Sequence, residues 1–324
     1  MTSPVFCVLG LGSIGLRHAK NLINLGHDVI GFDPSAERGA LLVEVSGRYE
    51  SDKNAALGAA DAALICTPSE YHFEDLCNAI DLGLHAFVEK PLAHSNTGLN
   101  ELFKKADAKG RVIFHGLFLR HHPCVQKAQA LIEDGSLGKI LWGQAICSGY
   151  LPNWRPHQDY SKGYAANPLS GGALFDNIHE FDLMYALLGP AFVKKAETHQ
   201  SGILNLPTED IADVILRHDQ GAQTTVHVDY VTQPSLRTTI LSGTKGRLEM
   251  DLIKRKLTSL SVDHEGAYEE TFPGTFDDDY VSEMEAFVDC IEGRAQPLCS
   301  NSDAAHVLDL ILSSRTQSGL PIDG

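Results

Sequence analysis

The sequence has no CxxC pair, no apolar run near the ~20 residues that a membrane span needs, and a shortage of positive charge. Twenty-six Lys and Arg face 42 Asp and Glu, a formal net charge of -16. Each shortage excludes something. An acidic surface repels polymer phosphate and anionic lipid at long range, so neither nucleic acid nor membrane is an expected partner, while a local basic pocket can still take a small phosphorylated or carboxylated molecule. The seven cysteines, at 7, 66, 77, 124, 147, 290 and 299, are odd in number and sit largely in apolar runs. That describes buried thiols in a reducing compartment, not a disulfide framework. No Lys or Arg precedes VFCVLGLGSIGL, so the charged start of a secretory signal is missing and the cytoplasm is the expected location.

What is present is a chain of 324 residues, 43% hydrophobic and 21% charged, long enough for two cores. The first third alternates strand and helix patterns: Val5 to Leu9, Asp28 to Phe32, Ala62 to Cys66, Ala86 to Val88 and Val112 to Phe114 read as strands, with helices over Ile14 to Leu25, Glu70 to Leu82 and Asn100 to Ala108. Such repetition predicts a parallel sheet covered on both faces. After Phe118 the rhythm changes. A helix (Cys124 to Asp134) and a strand (Ile140 to Ile146) lead to an irregular stretch, Tyr150 to Ser170, and then a helical run; alternating segments TTVHVDYV, RTTILSG, RLEMDLI and KLTSLSV follow, divided by DQG, GTKG and HEG turns. These predict an antiparallel sheet, and two helices, Asp278 to Ile291 and Asp303 to Ser313, end the chain. The expected fold class is α/β: a doubly wound, Rossmann-type parallel sheet over 1–118, then an α+β domain with a large, mainly antiparallel open sheet over 119–324. One face of that open sheet needs a partner or water, which predicts a homo-oligomer, dimer or tetramer.

Gly10, Gly12 and Gly15 form GxGxxG directly after the first strand, with Ser13 and Ile14 opening a helix. In that context the backbone can approach a pyrophosphate, where free N–H groups favour negative charge. Asp33 ends the second strand, placed to accept from ribose hydroxyls and to repel a 2'-phosphate, which favours NAD; Arg38, five residues on, keeps NADP possible. A flavin also satisfies the glycine pattern, but nothing further in the chain is assignable to its ring. Two more motifs follow strands at their C-terminal ends, where open parallel sheets hold ligands: CTPSEYH, with Thr67, Pro68 and His72, and VEKPL, with Glu89, Lys90 and Pro91.

The run SGGALFDNIHEFDLMYALLG, 170–189, carries an apolar helical stripe, yet Asp176, His179 and Asp182 recur at intervals of three. Two carboxylates and an imidazole on one helix side add little to stability, so a functional use is indicated. Neither HxxxH nor a cysteine pair supports a metal, and none is assigned.

GLGSIGLRH, TPSEYH, EKP, the Arg120 to Pro123 segment and GGALFDNIHEFD, in this order and spacing, resemble the glucose-fructose oxidoreductase and inositol dehydrogenase family, Gfo/Idh/MocA, over nearly the whole chain. The resemblance implies an NAD(P)-dependent oxidoreductase acting on CH–OH groups. It places Lys90 at the reacting hydroxyl beside the nicotinamide, with Glu89 fixing its position and Pro91 a candidate for a cis bond. It makes His179 the general base or acid and Asp176 the residue that holds substrate or imidazole. The common family spacing between those two is four residues; here it is three, and Asn177 stands ready to share the hydrogen bonds.

The irregular segment carries Tyr150, Trp154, Arg155, His157, Tyr160 and Tyr164, aromatic faces with polar groups between them that suit a sugar ring. Arg155 and Arg120 are candidates for a substrate carboxylate or phosphate. The expected activity is hydride transfer between a secondary carbinol of a sugar, sugar acid or nucleotide sugar and nicotinamide C4 of NAD, with a small-molecule carbohydrate as the substrate. The alternatives are a glycoside hydrolase working by transient oxidation and a non-catalytic dinucleotide-sensing regulator.

Overall fold

A computed structural model describes residues 3–262 and 266–322. The chain divides into two compact units: one holds the chain up to Phe118 together with Phe276–Ala305, the other Leu119–Thr275 and the chain from His306 on.

In the first unit, β1 (Val5–Leu9), β2 (Asp28–Phe32), β3 (Arg48–Tyr49), β4 (Ala62–Ile65), β5 (His85–Glu89) and β6 (Ile113–Gly116) form one parallel sheet in the order β3-β2-β1-β4-β5-β6. Every residue of β4 is buried, as a strand covered on both faces requires. Helices α1 (Ser13–Asn24), α2 (Ala36–Glu44), α3 (Lys53–Gly58), α4 (His72–Asp81) and α5 (Leu99–Ala108) supply the crossovers. Strand order reverses at β1, which pairs with β2 on one side and β4 on the other; past the C-terminal ends of these strands such sheets open a crevice. The buried face of α1 is Gly15, His18, Ala19 and Leu22, the i, i+3, i+4, i+7 stripe of a helix lying on a sheet.

The helix Phe276–Ile291 belongs to this first unit, where the sequence boundary puts it in the second domain. The reason is packing: Phe287 sits 6.0 Å from Phe6, 5.7 Å from Phe87 and 5.6 Å from Phe114, centroid to centroid. Periodicity gives a helix its apolar face but not the sheet that face covers.

The second unit carries α6 (Pro123–Glu133), α7 (Leu151–Trp154), α8 (Ala173–Asp176) and α9 (Ile178–Leu188). Its sheet consists of β7 (Ile140–Ser148), β8 (Ala191–His199), β9 (Ile211–His218), β10 (Gln223–Asp229), β11 (Leu236–Gly243), β12 (Gly246–Asp251), β13 (Lys256–Ser261) and β14 (Ala267–Thr271), ordered β14-β13-β12-β11-β7-β10-β9-β8. The β7–β10 pair is parallel and the other pairs antiparallel. DQG and GTKG join β9 to β10 and β11 to β12; the HEG turn falls on 264–266, and 264 and 265 lie outside the described residues. Both α8 and α9 pack on the strands of one face. The run 170–189 is not one helix: Asn177, at φ -98° and ψ 34°, separates α8 from α9. Its side chain donates to Ala173 O at 3.0 Å, the local side-chain bond by which Asn competes with helix geometry.

Candidate active site

The glycines of the first loop serve different needs. Gly10 turns at φ +87°, and a Cβ there would lie 2.6 Å from Cys66 O; one at Gly15 would lie 1.9 Å from Gly10 O. Those two are required by the protein's own packing. At Gly12 a Cβ meets nothing nearer than Arg38 Nη1 at 3.8 Å, and the φ of -71° suits any residue. Glycine at 12 therefore keeps open a space above the N-terminus of α1, where Ser13 is exposed and Ile14 half-buried, and a pyrophosphate fits that cradle. At the end of β2, Asp33 Oδ2 accepts from Leu11 N at 2.8 Å and Oδ1 from Ser35 N at 2.9 Å, which leaves each oxygen a second lone pair. Arg38 Nη1 stands 3.5 Å from Asp33 Oδ2.

Beyond β5 the chain turns through Lys90–Pro91, a cis peptide. Glu89 Oε2 accepts from Lys90 N at 3.1 Å, and its Oε1 lies 2.6 Å from His18 Nε2. Burial pushes the Glu89 carboxyl up, but the His18 hydrogen bond, then the charges of His18 and Lys90, outweigh it and hold the group below its ordinary pKa. Buried His72 joins two loops: Nδ1 is 2.8 Å from Pro91 O and Nε2 is 2.8 Å from Thr67 O. Burial lowers its pKa against the pull of those two carbonyls, Glu89 and Asp75. One imidazole thus ties the loop after β4 to the Lys90 turn. The Thr67 hydroxyl donates to Asp75 Oδ2 at 2.7 Å, and Asp75 also pairs with Lys53; Pro68 is exposed at the same strand end.

In the second unit Asp176 is 7% exposed and His179 6%. Asp176 Oδ2 accepts from Tyr164 Oη at 2.8 Å and from Tyr230 Oη at 3.2 Å. Tyr230 is fully buried, also donates to Gly172 O at 2.8 Å, and has its phenol pKa pushed well up, by burial first and then by Asp176. Two buried ion pairs flank α9. Arg120 Nε and Nη2 reach Asp182 at 3.0 and 2.7 Å, and Arg237 Nε reaches Glu180 at 2.7 Å. The start of α8 is held by Glu209, whose Oε1 accepts from Leu174 N at 3.2 Å, with Arg315 Nη1 at 3.7 Å. His122 caps α6 through Cys124 N at 3.2 Å and meets Leu252 O at 3.1 Å.

The structure therefore separates the predicted residues into groups. Gly10, Gly12, Gly15, Asp33, Arg38, Thr67, Pro68, His72, Glu89 and Lys90 gather at the C-terminal edge of one parallel sheet. Asp176, Asn177 and His179 lie together at the α8–α9 break, with Tyr164 bonded to Asp176. Arg120 is bound to Asp182, so the guanidinium expected to receive substrate anions is already occupied by a buried carboxylate. In the segment 150–170, half-buried Tyr150 precedes α7, Trp154 stands edge-on to Tyr230 at 5.5 Å, and Arg155 lies over the Tyr164 ring at 5.6 Å. Leu151, Trp154, Tyr160 and Tyr164 help line a cavity of about 40 Å³ there. His18, Tyr230 and Glu209 carry contacts that sequence reasoning missed. His18 stood inside GLGSIGLRH and Tyr230 inside the run TTVHVDYV, but in each case the polar atom's partner is more than 30 residues away.

Residues 5–117 match the model described as the oxidoreductase family, NAD-binding Rossmann fold, and residues 125–249 match the GFO/IDH/MocA C-terminal domain. Among curated relatives, scyllo-inositol 2-dehydrogenase (NAD(+)) of Bacillus subtilis is 26% identical, the alignment covering 99% of this chain and 97% of that one. Myo-inositol 2-dehydrogenase of Thermotoga maritima is 25% identical, with 93% and 92% covered. Two solved structures share the fold: UDP-N-acetylglucosamine 3-dehydrogenase from Acidithiobacillus ferrooxidans, at TM-score 0.83 and 21% identity, and levoglucosan dehydrogenase in complex with NADH and levoglucosan, at 0.85 and 17%, each with 98% of both chains covered.

Proposed function

Because the chain belongs to the GFO/IDH/MocA oxidoreductase family, we propose that it is an NAD-dependent dehydrogenase of a sugar or polyol, oxidising or forming a secondary carbinol. The observation that carries this is the Lys90 turn, fixed by Glu89 and His72 on the same sheet edge as the open Gly12 cradle. The names of the relatives support it, since inositols, levoglucosan and a nucleotide sugar are all rich in secondary hydroxyls. Bound NAD supplies the acceptor or donor of hydride at nicotinamide C4.

The chain's own residues bind, orient and move the proton. Gly12 admits the pyrophosphate to the N-terminus of α1, and Asp33 takes the ribose hydroxyls. Lys90 orients the reacting hydroxyl and carries its proton, and His179 is the general base or acid that the second unit offers. Tyr230 anchors the Asp176 carboxylate from behind, so Tyr164 is the partner that a substrate hydroxyl replaces. Trp154 and Tyr164, 40% and 44% exposed, offer ring faces to the sugar.

Two further readings belong with this one. No disulfide joins any of the seven cysteines, which suits the cytoplasm; among the described residues no helix is long and apolar enough to cross a membrane. Gln144, Thr225, Ile215 and Ile240 share one row across β7, β10, β9 and β11 and stay half-exposed, the surface for a homo-oligomer, dimer or tetramer.

The test is a panel of sugars, polyols and nucleotide sugars assayed for reduced nicotinamide with NAD and with NADP. Lys90→Met is expected to bind NADH as the parent does while turnover falls about 10²- to 10⁴-fold, the usual worth of a positioned acid or base. Unchanged turnover in that variant removes Lys90 from the mechanism.

A further inference from the structure

His18 has no role in the reading above, and it is an unusual residue for its position. Its side chain is 0% exposed, on the face of α1 that covers the sheet. The Phe87 ring lies 5.0 Å away and the Tyr280 ring 5.8 Å away, both edge-on. Nε2 reaches Glu89 Oε1 at 2.6 Å, while Nδ1 has no hydrogen-bond partner among the described residues. An imidazole that leaves one nitrogen unsatisfied in a core serves packing less well than an apolar side chain of similar size. Its other nitrogen spans from the helix behind the glycine loop to the carboxylate that holds the Lys90 main chain.

We infer that His18 is the positioning residue behind Lys90: it holds Glu89 as a carboxylate in one orientation, so that the second oxygen fixes the Lys90 backbone. This rests on the reading of Lys90 as the proton carrier.

The charges around Glu89 agree with that assignment. Lys90 follows it in the chain, His72 on α4 and Cys66 after β4 both feel its charge, and Glu283, on the helix Phe276–Ile291, adds a second negative charge at Cys66. Of these neighbours, Lys90 favours the ionised carboxylate. With His18 removed and burial retained, the carboxyl keeps its proton to higher pH than in the parent. A protonated Glu89 is a poorer acceptor for Lys90 N–H and no longer supplies the counter-charge to its ammonium.

Infrared difference spectra of the full-length chain, titrated with pH with and without NAD, test this without a substrate, and Glu89→Gln identifies the carboxyl band. In the parent protein no protonated Glu89 band is expected at neutral pH. His18→Leu is expected to keep the protonated band to higher pH than the parent, and His18→Gln, whose amide donates from the position of the imidazole Nε2, is expected to titrate as the parent does. In the dehydrogenase assay His18→Leu is expected to lose roughly ten- to a hundredfold in turnover, comparable to losing an outer-shell partner elsewhere. That loss is expected to shrink as pH rises and Glu89 ionises, and His18→Gln is expected to restore most of the rate. A band that titrates in His18→Leu as it does in the parent overturns the inference, as does a glutamine variant no better than leucine or a loss that ignores pH. If Lys90→Met retains turnover, the function reading fails, while the infrared result still decides whether His18 holds Glu89.

Discussion

Removing Arg120 separates two roles for that residue by the kind of damage it causes. Its Nε lies 3.0 and 3.1 Å from the two oxygens of Asp182, and its Nη2 lies 2.7 Å from one of them. The two side chains are 9% and 0% exposed. Deleting one partner of such a pair leaves a charge in a low-dielectric interior, at a cost of about 3–5 kcal/mol. For a unit of this size each kcal/mol corresponds to about 2–4 °C. Arg120→Met is therefore expected to lower the melting transition of the second unit by roughly 6–20 °C. Replacing both, as Arg120→Met with Asp182→Leu, is expected to recover most of that loss, because an apolar pair of similar volume carries no unpaired charge. Scanning calorimetry of the two single variants and the double variant closes the cycle. A melting point unchanged in Arg120→Met, accompanied by a raised KM for an anionic substrate, refutes the structural role and returns Arg120 to substrate binding.

The glycine loop gives a second contrast. Gly12→Val is expected to melt with the parent but lose NADH affinity in a fluorescence titration, whereas Gly15→Ala, with its Cβ 1.9 Å from Gly10 O, is expected to be poorly folded. Equal NADH affinity in Gly12→Val contradicts the cradle. On the sheet of the second unit, His227 stands between Asp229 and Asp213, at 3.1 and 2.8 Å, and its pKa is raised from 6.5 to about 9, the Asp229 hydrogen bond contributing most. A raised folded pKa stabilises fully below the ordinary value and is lost as pH climbs through the folded one. The melting temperature is expected to fall across that window, and His227→Gln is expected to flatten the fall; an unaltered slope rules the pair out as its source. Tyr230→Phe leaves Gly172 O and Asp176 short of a donor, an expected loss of about 1–3 kcal/mol, and a melting point equal to the parent's contradicts its role as the anchor of Asp176.

Local chemistry made some of this legible and hid the rest. The strand, glycine and acid pattern of 5–33 is a chain-neighbour signal, since its strand, glycines and acid all fall within one short span of the chain. EKP was readable for the same reason. The helix break at Asn177 was not, because the apolar stripe through Phe175, Ile178 and Phe181 continues across it, while the break itself is a single non-helical residue at φ -98° and ψ 34°. Partners far apart in sequence were beyond reach: His18 and Glu89 are separated by 71 residues and Arg120 and Asp182 by 62. For Arg120 that distance changed the role, since an arginine that looks available to substrate is neutralised by an aspartate read only as a helix-face residue. The placement of Phe276–Ala305 with the first unit has the same origin. The β8 strand was obscured by its outward charges, Lys194, Lys195 and Glu197, and β14 by being short and largely exposed.

The central proposal is that hydride passes between a carbinol carbon and NAD, with Lys90 and His179 each proposed as a catalytic residue. The most direct measurement uses a substrate from the panel deuterated at its carbinol carbon, with the cofactor recovered and examined by NMR. The account predicts deuterium at nicotinamide C4, a slower rate than with the protiated compound, and loss of both signals of turnover in Lys90→Met and His179→Asn. Consumption of the compound with no deuterium in the cofactor contradicts it.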